Sequence, residues 1–303
     1  MNRRTFLGAA AAGPLACGGA LAAAAHVQPG ERKSTPGAPY KLALAAYSYR
    51  DFLAGKNKSM SLVDFIRKSA EMGTDGVELT EYYFDKPITQ DYLMSLKRAC
   101  QVWGQTITGT PIGNSFTHPA GADRDKQIET YKRWVDVSAE LGSPAIRTFA
   151  GNTPAGLTEA QARRNVIETL EVVADYAGKK GVFVAVENHG GVVATADGLL
   201  EIVRGVKSPW VGVNLDSGNF RTDDPYAELA RCAPYAVSVQ YKTEIKGQPA
   251  DFRRVVKLLR EANYRGFITL EYEAREDPLV AVPRHLAEMR RVILEDAGLS
   301  ARA

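Results

Sequence analysis

Sulfur and imidazole are scarce in this chain, with three cysteines and four histidines among 303 residues. That length with so few cysteines excludes a small fold stapled by disulfides. Three of the histidines, His118, His189 and His285, lie in the body of the chain, too few for a histidine-rich zinc cluster. Cys100 in SLKRACQVW and Cys232 in AELARCAP sit in amphipathic helical patterns and read as small buried hydrophobes, so no disulfide is expected. A dominant charge is missing too. Lys and Arg number 38 against 35 Asp and Glu, a formal net charge of +3, which gives no electrostatic reason to expect nucleic acid or an anionic membrane as partner. A glycine-rich phosphate turn is also lacking after the first strand-like run, because SYRDFLAGKNK is not GxGxxG. This argues against a doubly wound nucleotide-binding sheet.

The single long apolar run is at the start. Arg3 and Arg4 in NRRTFLG precede an alanine-rich stretch ending in LAAAAH, which reads as a twin-arginine export signal cleaved after Ala25. The run is short and interrupted by glycine, so no stable membrane insertion is expected after processing. Cys17 in PLACGG follows Pro14 and Leu15, poor residues for a lipid-attachment signal. The expected organisation is a signal at 1–25, a flexible linker at 26–40, one barrel at 41–297 and a tail at 298–303, in a periplasmic or extracellular protein. Losing the signal removes Arg3 and Arg4 and brings the chain close to neutrality.

From Lys41 onward, strand-like runs alternate with helical patterns eight times. The runs are KLALAAYSY, DGVELTEYY, GQTITGTPI, PAIRTFAG, VFVAVENHG, VGVNLDSGN, AVSVQYKTE and FITLEYE. Several are apolar at nearly every position, as parallel strands covered on both faces must be. Helices are expected near 61–72, 89–103, 124–141, 158–180, 196–206, 225–232, 249–262 and 278–297, with Thr158 and Gln161 forming a capping box and Gly181 a stop. Eight strand–helix units in this length predict a single (β/α)8 TIM barrel.

Polar side chains recur where the strands end, which is where such a barrel keeps its site. VFVAV runs into Glu187, Asn188 and His189, VGVNL into Asp216, AVSV into Gln240 and Lys242, and FITL into Glu271. Three carboxylates at one mouth repel each other unless a cation neutralises them. Oxygen donors favour Mn2+ or Mg2+ over zinc. Such an ion would polarise a hydroxy-ketone and stabilise the enediolate left when a neighbouring proton departs, while a carboxylate on each face takes and returns that proton.

His189, two residues past Glu187, is placed to carry a proton or to support the site. Lys242, two past Gln240, is placed to stabilise an oxyanion or to sit solvated at the rim. Arg147, charged within an apolar run, either balances Glu187 or binds sugar hydroxyls. Glu78 fills part of the mouth or makes a buried salt bridge. Tyr47, Tyr49, Tyr82, Tyr83 and Phe116 offer stacking faces or mouth packing, and His118 belongs to a loop.

Together, GVEL, KRWVDVSAELGSPAIRTFAG, VENHGG, NLDSGNF, QYK and LEYE resemble the xylose isomerase-like barrel superfamily over most of the chain from Lys41 to about Leu294. The closer resemblance is to the sugar phosphate isomerases/epimerases, which include ketose 3-epimerases and inosose dehydratases. It implies that Glu187, Asp216, Gln240 and Glu271 are metal ligands and that Glu187 and Glu271 are also the acid–base pair. Asn219 joins Arg147 and Glu78 as substrate-facing. The chain departs at Gln240 and Asn219, where those relatives tend to have histidine.

The expected activity is a metal-dependent sugar isomerase or epimerase acting on a small-molecule sugar or glycoside, with a homo-oligomer left open. The loop EYEAREDP is acidic and has no glycine cradle for phosphate, so a neutral sugar or keto-sugar is the expected substrate. A 3-keto-glycoside lyase begins with the same enolate and is the alternative, and a non-catalytic sugar-binding protein is a second. A DNA-repair endonuclease of the related barrel type is disfavoured by the few histidines and by the neutral charge.

Overall fold

The computed structural model describes residues 40–56 and 58–299. The export signal and nearly all of the expected linker and tail lie outside them. Eight parallel strands form the centre: β1 Lys41–Ala45, β2 Gly76–Glu78, β3 Thr106–Gly109, β4 Ala145–Thr148, β5 Phe183–Glu187, β6 Val211–Asp216, β7 Ala236–Tyr241 and β8 Phe267–Leu270. Their order around the sheet is β3-β2-β1-β8-β7-β6-β5-β4. The seam between β3 and β4 is bridged by the segment that follows β3, where Thr110 N donates to Ala145 O at 3.0 Å and Phe116 N to Ala150 O at 2.8 Å. The result is the expected (β/α)8 TIM barrel, nearly closed. Every residue of β4 and β6 is buried, as their continuous apolar runs require.

The surrounding helices are α1 Leu62–Glu71, α2 Gln90–Val102, α3 Ala122–Leu141, α4 Glu159–Lys179, α5 Ala196–Gly205, α6 Pro225–Cys232, α7 Phe252–Glu261 and α8 Pro278–Asp296. The expected capping box of α4 is formed. Gln161 N donates to Thr158 Oγ1 at 3.2 Å, and Thr158 N donates to Gln161 Oε1 at 2.8 Å. Gly181 follows that helix at φ 72°, a conformation that costs other residues free energy. Cys100 and Cys232 are buried and unpaired, on α2 and α6.

One helix differs from expectation. The segment expected to begin at Pro249 starts at Phe252, because Gln248–Pro249 pairs antiparallel with Glu244–Ile245 in a small ribbon between β7 and α7. Lys246 and Gly247, at φ 52° and 72°, make its two-residue turn, the form that suits the twist of paired strands. Asp251 then caps α7, accepting from Arg254 N at 3.0 Å. Among the described residues no helix is long and apolar enough to cross a membrane.

Candidate active site

All eight strands run the same way, so their carboxyl ends open on one face of the barrel. Register sets the residues there level with one another: Glu187 pairs with Asn214, Asp216 with Gln240, and Gln240 with Thr269, two residues before Glu271. Side chains lock these ends together. Asn188 bonds the backbone of Asp216 twice, accepting from its N–H and donating to its carbonyl, both at 2.9 Å. Ser217 ties β6 to β7, its N–H donating to Gln240 O and its hydroxyl accepting from Lys242 N, also both at 2.9 Å.

On the β5 side, Glu187 is 2% exposed. Arg147 Nε lies 3.2 Å from its Oε2 as an ion pair without hydrogen-bond alignment, and Asn219 Nδ2 donates to its Oε1 at 2.8 Å. Arg147 therefore balances Glu187. The guanidinium also donates to Ile112 O at 3.0 Å and lies 3.9 Å from the centre of the Phe149 ring. Phe149 in turn packs on His189 at 4.5 Å. His189 is open to solvent on one side; surrounding protein, Lys242 and Arg147 lower its pKa and favour the neutral imidazole.

On the β6–β8 side, three carboxylates surround one ammonium. Lys242 Nζ lies 3.3 Å from Asp216 Oδ2, 3.3 Å from Glu271 Oε2 and 2.8 Å from Glu273 Oε2. Burial alone would lower the lysine's pKa, but Asp216, Glu271, Glu273 and Glu187 outweigh it and keep the group charged. Gln240, wholly buried, donates through Nε2 to Glu78 Oε1 at 2.7 Å and to Glu271 Oε1 at 3.3 Å. Its carbonyl accepts from Asn214 Nδ2 at 2.6 Å, and Asn214 in turn accepts from Ser238 Oγ at 2.6 Å.

Burial drives the pKa values of Glu187, Glu78 and Asp216 up. Glu187 is pushed to about 7, with Arg147 opposing the rise and Glu271 adding to it. Glu78 is pushed to about 8 by burial and then by the Glu271 charge. Asp216 rises above its ordinary range for the same first reason, despite Lys242.

The fold thus brings Glu78, Arg147, Glu187, His189, Asp216, Asn219, Gln240, Lys242 and Glu271 together at one mouth. As these side chains stand they do not fit a resident divalent ion. The ammonium of Lys242 fills the space among the carboxylates, and Gln240 turns its NH2 towards them and its carbonyl to Asn214. Among the described residues no three His, Cys, Asp or Glu side chains are grouped to hold a metal.

Asn214, Ser217, Ser238 and Glu273 were missed by sequence reasoning, and Asn188 was named at a strand end without a role. For Glu273 the signal was there, since it stands two residues past Glu271 just as Lys242 stands two past Gln240. Of the aromatic candidates, Tyr49 and Phe116 are buried in the core, at 0% and 1% exposure, while Tyr82 is exposed. His118 is half-buried in the loop after β3.

Solved structures similar to this chain include those of sugar epimerases. The apo form of 3-keto-D-glucoside 4-epimerase YcjR from E. coli is 19% identical, over 83% of this chain and 99% of that one, with a TM-score of 0.67. An L-ribulose 3-epimerase gives 16% identity over 86% and 96% of the two chains and a TM-score of 0.71. D-psicose 3-epimerase from Clostridium cellulolyticum H10, solved with D-tagatose, gives 16% over 86% and 100%, with a TM-score of 0.68. At such identities the likeness is one of fold. No curated protein sequence matches the chain. Residues 66–292 match the profile of a family described as xylose isomerase-like TIM barrel, and with most of its length inside that match the chain belongs to the xylose isomerase-like TIM barrel family.

Proposed function

We propose that this protein is a sugar isomerase or epimerase that moves a proton between Glu187 and Glu271 through an enediolate of a neutral sugar or keto-sugar. One observation carries the reading. Two buried carboxylates stand at strand ends separated by β6 and β7, and each is held by its own partners: Glu187 by Arg147 and Asn219, Glu271 by Lys242 and Gln240. A sugar seated between them meets a carboxylate on each side. One takes the proton from the carbon next to the carbonyl, the C–H electrons move into the new double bond, and the carbonyl electrons settle on oxygen. The other returns a proton to the opposite face. With its pKa pushed to about 7, Glu187 can give or take a proton near neutrality.

The likeness to structures named for 4-epimerisation of a 3-keto-glucoside and 3-epimerisation of ketoses supports the reading. The 3-keto-glucoside case also keeps the lyase in view, because the same enolate expels a neighbouring glycosidic oxygen. The paired arginines at the start of the sequence make an exported enzyme our reading of its location.

The test is solvent exchange. With a panel of neutral sugars and 3-keto-glycosides in heavy water, the wild type should place deuterium next to the substrate carbonyl. Glu187→Gln and Glu271→Gln should each slow exchange by about a hundredfold or more, the scale of a lost acid–base group. Release of the aglycone would select the lyase. Turnover without deuterium in the product would point to hydride transfer and end the proton-transfer proposal.

A further inference from the structure

We propose that Lys242 is the built-in electrophile of this site, standing where a divalent ion would stand, and that the enzyme works without a resident metal. The inference rests on the proton-transfer reading above and goes beyond it. Carboxylates collected at a barrel mouth need a cation among them, and here the chain supplies one: Lys242 Nζ is held by Asp216, Glu271 and Glu273 at 3.3, 3.3 and 2.8 Å.

The seat of the lysine is built for it. Gly218, after β6, leaves room for the stem: a Cβ there would lie 2.8 Å from both Cβ and Cδ of Lys242 and 3.0 Å from the Glu244 carbonyl oxygen. The backbone N–H of Lys242 is pinned by the Ser217 hydroxyl at 2.9 Å. The ammonium is not sealed away. Lys242 lines a cavity of about 250 Å³ with Gly218, Asn219, Thr243 and Glu273, whose lining reaches the acid–base pair through Asn219, bonded to Glu187, and through Lys242 itself, paired with Glu271.

Gln240 supports the same conclusion independently. Its carbonyl, the only part that can ligate a cation, accepts from Asn214, which Ser238 holds on its other side. The face it turns to Glu78 and Glu271 is its hydrogen-bond donor. Gln240 therefore acts as a donor to the acidic pair and not as a ligand. When the carboxylate base takes the α-proton, negative charge gathers on the former carbonyl oxygen. A fixed ammonium beside it lowers the energy of that oxyanion, and no oxidant, reductant or ion is consumed.

Mn2+ titrated into chelator-treated wild-type protein, followed by the electron spin resonance of the free ion, tests this without any substrate. The free-ion signal should be undiminished, and solvent exchange into the sugar should be unaffected by chelator. Uptake of one ion per chain would overturn the proposal. Lys242→Met should lose exchange by about a hundredfold or more, with no recovery on adding Mn2+, whereas Lys242→Arg should fold and keep a measurable part of it. Exchange that persists in Lys242→Met, or returns with Mn2+, would also overturn it. If no sugar exchanges at all, the proton-transfer reading fails, while the titration still decides the question of the ion.

Discussion

Lys242 and Gln240 stand two residues apart, and the alternation of a strand was enough to send both to the same mouth. Their roles were not legible, because these depend on partners far away in sequence. Glu78, which receives the Gln240 amide, is 162 residues distant, and Asn214, which takes its carbonyl, is 26. A single sequence shows that three carboxylates converge and need a cation. Which cation answers is settled by rotamers and by the space that Gly218 leaves. That space is testable by substitution. Gly218→Ala puts a methyl group 2.8 Å from the lysine stem, which must give way, so exchange should fall about tenfold or more, equivalent to about 1.4 kcal/mol of barrier. The loss should appear in kcat with KM little changed, and urea unfolding should show about 1–3 kcal/mol of overpacking cost. A variant with wild-type kcat would show that the seat of Lys242 is looser than the contact distances indicate.

Elements were the most readable level, since period and caps act locally. The Thr158–Gln161 box of α4 was legible because both partners lie within one turn. The start of α7 was not, because Pro249, an apt first helical residue, is held in a ribbon whose existence depends on Lys246 and Gly247 turning together. Tyr49 packs and does not stack for a similar reason: after β1 the chain folds into a short 3-10 helix at Ala46–Tyr49 that carries Tyr49 into the core. Capping also yields a prediction in α1. Ser61 Oγ accepts from Asp64 N at 3.1 Å and donates to Asp64 Oδ2 at 2.6 Å, while Ser61 N donates to the same oxygen at 3.1 Å. Ser61→Ala should cost about 1 kcal/mol at neutral pH. The hydrogen bonds from the Ser61 side chain and backbone hold the Asp64 carboxyl below its ordinary pKa. Their stabilisation is complete above the unfolded value and is lost as pH falls through the folded one. Denaturant midpoints should therefore converge for wild type and variant as the medium is acidified, and a gap that is constant with pH would refute the linkage.

At the scale of the whole molecule, eight alternations were enough to predict the barrel but not to show where it closes. Closure joins β3 to β4, whose contacts depend on the register of every strand between them the long way round. The regular ladder runs from β3 through β1 to β4 and stops there. What crosses the seam is a set of bonds from the segment just after β3, among them Thr110 N to Ala145 O at 3.0 Å and Ile112 N to Arg147 O at 3.4 Å. Asn114 adds a clip, its Nδ2 donating to Phe149 O at 2.7 Å and its Oδ1 accepting from Phe149 N at 2.9 Å. The seam matters for function because Arg147 stands in it, reaching Glu187 on one side and Ile112 O on the other. With fewer ladder bonds than its neighbours, it should open below the global unfolding free energy. Hydrogen exchange by mass spectrometry should find the 106–116 and 145–151 segments exchanging before β5, β6 and β7. Asn114→Ala, which leaves the Phe149 backbone without its partners, should widen that difference and cost about 1–3 kcal/mol. It should also loosen the Arg147 grip on Glu187, slowing proton exchange into the sugar although Asn114 makes no bond to either carboxylate of the acid–base pair. Seam amides that exchange only with global unfolding would mean that the barrel is as tightly closed there as anywhere else, and would remove this link between closure and the site.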